Sequence, residues 1–457
     1  MTLRRVHTCV IGLGPAGLGA ALALSRTHVA SEVAALDAGG LPLDRSCALP
    51  SDRACACVEP CPVITGVGGA SLLAGSRVSG LPAGGGMASI VGSESAVHDG
   101  MERALRLFSE FIQVAPVGVA DMGLDEARSW YEQKGFHFRY YQVYTYGHTD
   151  LVSGYDRMLS EIRKSGLSVH VASTVTEIAP QDAGFRVTAL SRGNEMCFHA
   201  QRVILACGRY GHVFVARLGK VLGLRTEANH CDIGVRLEFP TSVWPDIDQH
   251  HGDLKLLFGN ARTFCVCKDG RLAPYKLGDV LLMEGRTDLD SPSGYTNLAV
   301  LVRLGNGNHG RNGALFEELA RRLTRETGGV PVRQRLGDFL ARVPSSPSAS
   351  DEPTSMPLWK WGSIAQCFAP AEAASIREAL VSFVTRLLPE NAYKTVSLFA
   401  PEIDYLGDKF VLQQSFESTR PGIHIIGDCT GHFRGILQAF SSGIECARNL
   451  AGVADVP

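Results

Sequence analysis

The chain begins with a mostly apolar run, residues 6–11, that stops at Gly12, the pattern of a buried strand. Small and apolar residues over 15–26 then predict a helix, and 32–37 predict a second buried strand that ends on the acid Asp37. Strand, glycine turn, helix and strand in that order make a first βαβ unit. A glycine- and proline-rich stretch from 38 to about 92 follows, too irregular for regular elements and too long for a simple connection. Regular patterning resumes at 148. Asp150 to Lys164 has helical periodicity, 167–171 and 174–178 read as strands, 185–190 and 197–200 as a hairpin, and 201–208 as a further buried strand that ends in glycine. Near the other end, 422–427 repeats the opening pattern: an apolar run, then Gly427-Asp428, then a small-residue helix from Gly435.

Residues 231 to about 400 have a different texture of mixed strands and loops, with Ser345 to Ser355 reading as a Ser/Pro/Asp-rich linker or exposed loop. The first pattern is therefore split around the second. We expect one discontinuous domain from 1–60, 140–230 and 400–457, a loop and helical insertion over 61–139, and a cap or substrate domain over 231–399.

Length and composition narrow the class. At 457 residues the chain exceeds one average domain. A 45% hydrophobic and 20% charged content is that of an ordinary water-soluble globular protein. A net charge of -2 and the lack of a basic run with interleaved aromatics give no reason to expect nucleic acid. Arg4-Arg5 followed by apolar residues to Leu24 superficially resembles a secretory signal, but Gly12, Gly14, Pro15 and Gly17 would break its helix. No other stretch is apolar enough for a membrane span. The odd count of 13 cysteines, several in apolar runs, favours a reducing cytoplasm over a disulfide scaffold. Oligomeric state is not readable.

The glycine turn carries the first chemistry. In Gly12-x-Gly14-x-x-Gly17, the first glycine permits the tight turn. The second lets backbone approach a pyrophosphate, and the third packs helix on strand. The helix start at Pro15 and Ala16 offers free N–H groups to an anion. Asp37 stands 20 residues past Gly17, where a carboxylate would accept hydrogen bonds from an adenosine ribose. A glycine turn with no ligand is the plain alternative, and the motif alone does not separate FAD from NAD. The C-terminal Gly427-Asp428, with Gly435, Ile436, Leu437 and Gln438 opening a helix, resembles the layout of flavoproteins in which the Asp meets the ribityl–phosphate region and the helix start the flavin's pyrimidine end, and so favours FAD. Ala206 and Gly208 form a similar turn, and Val175 sits on the strand expected to run near the adenine. No second Gly-x-Gly-x-x-Gly unit is visible for a nicotinamide.

These segments together resemble the uncharacterised FAD-dependent (NAD(FAD)-utilising) dehydrogenases of the glutathione-reductase-like flavoprotein superfamily. The matching residues are Gly66 to Ala70, His148-Thr149-Asp150, Cys207 to Gly211, Asp232 to Glu238, Thr263 to Cys267, Pro401-Glu402-Ile403 and Gly427 to Gly435, in order over nearly the whole chain. The resemblance implies an α/β fold, a Rossmann-like FAD-binding domain of glutathione-reductase type with an inserted mixed α+β cap. Gly69, Ala70 and Ser71 then join the cofactor residues. One departure stands out: where the family shows Ser-Asp-Gly-Lys, this chain has Ala74-Gly75-Ser76-Arg77. An acid is lost and Arg replaces Lys, a change that points to altered specificity, since Arg clamps carboxylates and phosphates better.

Cys47, Cys55, Cys57 and Cys61 lie close together before that loop, without the Cys-x-x-Cys spacing of a zinc site; buried packing is the expectation, metal and redox chemistry the alternatives. Candidates for acid–base or electrostatic work are His148, His212, Tyr405 and, foremost, His432, Arg434 and Glu402. The expected activity is hydride transfer between a small organic substrate and flavin N5, with NAD(P)H, oxygen or another acceptor resetting the flavin. Flavin monooxygenase, carbon–carbon double-bond reductase and a non-enzymatic FAD-binding regulatory or structural protein are the alternatives.

Overall fold

The computed structural model describes residues 3–45, 47, 60–117, 123–277, 280–304, 328–348, 351–405 and 407–452, with single positions at 318, 321, 322 and 325. Among them are two large sheets. In the first, strands Ser168–His170, Val33–Leu36, Leu3–Ile11 and Asn194–Leu205 lie side by side in parallel. The far edge of Asn194–Leu205 is shared. Its first part pairs antiparallel with Gly184–Ser191, which continues to Ser173–Gln181, and its last residues, Val203 to Leu205, pair parallel with Ile423–Ile425. The two strands expected over 197–200 and 201–208 are thus one strand, Asn194–Leu205. The polar pair Gln201-Arg202 interrupts the apolar pattern in sequence, but only a change of neighbour happens there, from hairpin partner to C-terminal strand.

The central strands alternate between two buried faces, as parallel strands must when both sides are covered. Val10, Val33 and Ala35 pack with the helices Pro15–Ser25, Glu94–Ser109, His148–Lys164 and Ile436–Ala451. Cys9, Ile11, Ala34 and Leu36 face the hairpin and helix His212–Leu222. The first and last helices meet backbone to backbone. A Cβ on Gly443 would lie 2.0 Å from the Ala16 carbonyl oxygen, and one on Gly19 would lie 2.4 Å from that of Phe440. Two side-chain-free positions thus let the ends of the chain pack together.

The second sheet runs Lys360–Trp361, Val332–Arg335, Ser397–Tyr405, Cys231–Pro240, Tyr295–Arg303, Ala261–Cys267, Leu256–Phe258 and His137–Phe138. All its neighbours are antiparallel except the first pair. Its last long strand, Ser397–Tyr405, straddles residue 400, and His137–Phe138 joins it from the insertion, so sheet membership does not follow the sequence texture at these two points. The central strand Cys231–Pro240 alternates, yet both faces are buried. Ile233, Val235 and Leu237 enter an apolar core with Phe383 of helix Pro370–Leu387, while Asp232, Arg236 and Glu238 are buried opposite.

Part of the expected linker proves to be packed structure. Ser345 is buried, with its hydroxyl accepting from Arg335 N at 2.9 Å, and Ser355 N donates to Glu238 Oε1 at 3.2 Å. The Ser and Thr residues there solvate a buried carboxylate, a role composition does not distinguish from exposure. Cys55 and Cys57 lie outside the described residues. Cys61 is buried in the core of the second sheet, and Cys47 packs on a separate cluster with Leu272 and Met283.

Candidate cofactor site

One cavity of about 1580 Å³ runs between the two sheets. It exceeds the ~300–1,000 Å³ of an ordinary small-molecule cleft and has room for a long ligand and a second molecule. On the first-sheet side its wall is largely bare backbone. Gly12, Gly14, Pro15, Ala16, Asp37, Gly69, Ala70 and Ser71 line it from the N-terminal side, and Gly427, Asp428, Gly435, Ile436 and Gln438 from the C-terminal side. Ala206 and Gly208 lie between, and Val175 lies on the hairpin strand beyond.

Local geometry explains this glycine pattern. Gly12 has φ +98°, and a Cβ there would sit 2.5 Å from the Ala206 carbonyl oxygen. A Cβ on Gly17 would lie 1.8 Å from Gly12 O, so Gly17 serves packing beneath the turn and is not part of the cavity wall. The Gly66–Gly69 loop crosses close by, with Gly68 N donating to Leu13 O at 2.8 Å and a Cβ on Gly69 only 3.0 Å from Gly14 Cα. Two peptide loops thus form a shallow cradle. The helix Pro15–Ser25 opens into it, with Pro at the first position, where an amide hydrogen is dispensable.

Asp37 ends its strand beside the cradle. Its Oδ2 accepts from Leu13 N at 2.7 Å and its Oδ1 from Gly39 N at 2.8 Å. These bonds hold the carboxylate in place, and each oxygen keeps a lone pair for another donor. Burial is the main influence on this carboxyl and pushes its pKa up, against the amides of Leu13, Gly39 and Gly66 and against Arg45.

At the opposite end, Ile436–Ala451 begins at the wall. Leu437 is buried in the core and does not line the cavity. Gln438 does: its Nε2 donates to Ser79 O at 3.0 Å, while its buried Oε1 has no hydrogen-bond partner among the described residues. A buried amide oxygen left unsatisfied is costly unless a ligand supplies a donor. The bare cradle, two helix N-termini facing one cavity and this orphaned acceptor all fit a long anionic dinucleotide with a hydrogen-bonding ring at its far end.

The proposed chemical residues separate. Arg434 is on the wall, paired with Asp404 and lying 3.3 Å from Asp428 Oδ1. His432 is not on the wall; its Nε2 is 2.8 Å from Phe410 O and its Nδ1 3.1 Å from Ser89 Oγ, with burial lowering its pKa. Glu402 is also off the wall. It is 2% exposed and locked to the fully buried Arg236, with Oε1–Nη2 at 2.7 Å and Oε2–Nε at 3.0 Å. Burial pushes the Glu402 carboxyl up, opposed by Arg236. Both Glu402 oxygens are thus held by one guanidinium. His148 and His212 each begin a helix, and neither lines the cavity.

Beside Arg434 and Arg77, the facing wall holds further charges that sequence patterning did not single out. Arg434 and Arg262 share Asp404, and Arg262 and Arg303 share Asp232 at 2.7 and 3.0 Å. Burial alone would raise the Asp404 carboxyl, but Arg434, Arg262 and Arg209 outweigh it and hold it well below the usual range. Arg77, the family-divergent position, lines the wall too and lies 3.5 Å from Asp253, whose Oδ2 accepts from Tyr141 OH at 2.6 Å. Lys255 completes the set, its ammonium 4.9 Å from the Phe264 ring; burial, then Arg262, brings its pKa down to about 8. The signal that could have found these residues is polar positions in strands whose other residues are buried.

No protein-family profile matches the chain, and no curated protein matches it in sequence. Solved structures show remote similarity. A flavoprotein/dehydrogenase from Cytophaga hutchinsonii is 12% identical with a TM-score of 0.41, over 98% of this chain and 80% of that one. A geranylgeranyl bacteriochlorophyll reductase-like protein from Thermoplasma acidophilum is 12% identical with a TM-score of 0.44, over 99% and 79%. Glycine oxidase from Geobacillus kaustophilus is 13% identical with a TM-score of 0.43, over 99% and 96%.

Proposed function

We propose that the protein is an FAD-dependent oxidoreductase, a dehydrogenase or oxidase acting on a small organic substrate held between the two sheets. The observation that carries this reading is that residues from both chain ends, Gly12 to Ala16 and Gly427 to Gln438, line one cavity. A nucleotide that needed only one of them would leave the other, with its free helix N-terminus, unexplained.

In this reading the cradle around Gly12, Gly14 and Gly69 takes the pyrophosphate, and Asp37 accepts a ribose hydroxyl. Asp428 meets the ribityl–phosphate region, and the start of Ile436–Ala451 with Gln438 meets the pyrimidine end of the ring. FAD, when bound, supplies reversible two-electron hydride chemistry. The polypeptide supplies orientation and charge. The helix N-terminus and Arg434 favour negative charge building up beside them. Asp404 moderates Arg434, so the local field is less than that of a lone cation. His432 acts by positioning the turn that carries Arg434, and Glu402 acts by holding Arg236. NAD(P)H as a diffusible donor remains part of the proposal, as does membership of the uncharacterised FAD-dependent dehydrogenase family, supported by the ordered matches from Gly66 to Gly435. Among the described residues no helix is long and apolar enough to cross a membrane.

The test is direct. Purified protein should be yellow, release FAD on heating, and bleach when reduced anaerobically. A colourless protein that cannot be reconstituted with FAD would overturn the reading.

A further inference from the structure

The strand Ala261–Cys267 breaks its regularity next to the cavity. Cys265 has φ +50°, and pairing with Tyr295–Arg303 slips between Phe264 and Cys267. In a regular strand two residues apart share a face but stand roughly 6.6 Å apart along it. Here the bulge brings the sulfurs of Cys265 and Cys267 to 3.9 Å, in contact and about 2 Å beyond bonding distance. Backbone in this region is uncommon for a side chain with a Cβ, and such strain gathers at functional sites.

The surroundings are electropositive. Arg77 Nη2 lies 3.4 Å from the Cys267 sulfur and 3.6 Å from that of Cys265. Arg236 Nη1 donates to Cys265 O at 3.2 Å. Cys265 is on the cavity wall and Cys267 is buried behind it. Burial is the largest influence on Cys267 and opposes ionisation. The hydrogen bond from Cys265, with Arg77 and Arg236, outweighs it and brings that thiol down, while Cys265 is held up by the same bond and by burial. Packing cysteines elsewhere in the chain behave otherwise: for Cys9, Cys231, Cys429 and Cys446 burial dominates and pushes the thiol up. A guanidinium touching both sulfurs also repels a metal cation, which leaves sulfur redox chemistry as the use for a stabilised thiolate.

We propose that Cys265 and Cys267 form a dithiol/disulfide centre on the cavity wall that exchanges two electrons with a low-molecular-weight disulfide or thiol entering the cavity. The proton between the two sulfurs first moves to Cys267, which leaves Cys265 as the thiolate. Cys265 attacks the external disulfide; its S–S bond breaks, a mixed disulfide forms, and one thiolate leaves and takes a proton. Cys267 loses its proton and attacks the Cys265 sulfur. The internal disulfide closes, and the second external thiolate leaves and is protonated. In total, one external disulfide, the protein's thiol–thiolate pair and one proton from water become two external thiols and one internal disulfide, and the reverse reaction regenerates the pair. The sulfurs and arginines belong to the polypeptide, so this centre stands or falls independently of the flavin reading.

The experiment is a redox titration of the purified protein, with and without added FAD, in mixtures of reduced and oxidised glutathione, quenched in acid and alkylated after unfolding. The expected result is a 265–267 peptide that escapes alkylation and is lighter by two hydrogen atoms, in a fraction that follows the glutathione ratio with one midpoint. A Cys267→Ser variant should trap glutathione on Cys265. Arg77→Met should move the midpoint about tenfold toward easier oxidation, because the arginine stabilises the reduced thiolate; loss of packing alone would leave the midpoint where it is. If the wild-type peptide stays doubly alkylated even in oxidised glutathione alone, the proposal is overturned.

Discussion

The two walls of the cavity are built on opposite principles. The first-sheet wall presents backbone: glycine turns and helix starts, with Asp37 fixed by two amides. The facing wall, drawn from the second sheet and neighbouring segments, presents side chains in ion pairs and hydrogen bonds, such as Arg434–Asp404–Arg262 and Arg77–Asp253–Tyr141. A backbone wall recognises what every bearer of a pyrophosphate shares, whereas a side-chain wall can be respecified one residue at a time. On the proposed function, cofactor selection and substrate selection fall to different walls, and each can be attacked separately.

The strongest attack on the first wall is at its seam. Gly443→Val places a branched side chain where a Cβ alone would be 2.0 Å from Ala16 O and 2.6 Å from Ala20 N. Backbone cannot yield cheaply, so the helices separate and the fold loses about 3 kcal/mol or more. The expected outcome is protein that is insoluble, or that melts far below wild type and carries no flavin. Stoichiometric flavin absorbance with an unchanged melting temperature would show that the two chain ends do not form one site.

The matching attack on the second sheet is at Arg236, buried behind the wall. Arg236→Met leaves Glu402 buried without its paired cation, at a cost of about 3–5 kcal/mol. The double change with Glu402→Leu removes the stranded charge and should recover much of that loss in chemical denaturation. Flavin content should be kept in the double variant. The same pair decides the role of Glu402. If Glu402→Leu in the Arg236→Met background folds and still turns over, the residue is a strut; if it folds, binds flavin and is dead, Glu402 is catalytic.

A smaller effect is expected from Asp428→Ala. The side chain lies on the wall, with Arg434 3.3 Å away, and is not part of a core. Flavin affinity should fall tenfold or more, about 1.4 kcal/mol or more, with apo-protein stability nearly unchanged. Full occupancy after dialysis would remove Asp428 from the cofactor site.

The contrast between the walls also explains what could be read in advance. The first wall was legible because its function lies in backbone, and only glycine at fixed spacing satisfies Gly12 and Gly17. Asp37 follows from the same unit. The second wall was not, because its partners are far apart in sequence: Arg262 and Asp404 are 142 positions apart and Arg77 and Cys267 are 190. Along Cys231–Pro240, alternating polar residues look like a solvent face, yet Asp232, Arg236 and Glu238 are all buried. Glu402 and His432 were singled out by proximity to motifs, and both point into structure instead. Arg434 was found by the same reasoning and does reach the cavity.

The finest test concerns a cation on the second wall that no carboxylate pairs directly among the described contacts. Burial, with Arg262 behind it, brings the Lys255 ammonium down to about 8 from an ordinary 10.5. The folded state therefore holds this proton less tightly than the unfolded chain does. The amine's contribution to stability is complete above pH 10.5 and is lost as the pH falls through 8. Lys255→Met removes that liability. At pH 7 the variant should melt about 2 °C higher than wild type, with the gap closing as the pH approaches 10.5. An anion bound in the cavity acts in the opposite sense: it stabilises the ammonium, raises wild type and leaves the variant where it was. Melting curves of dialysed protein, repeated with small carboxylates, would thus separate an unfilled positive site from a merely strained lysine. A variant that melts lower than wild type at every pH would show that Lys255 contributes packing along Phe264 and not a charge awaiting a ligand.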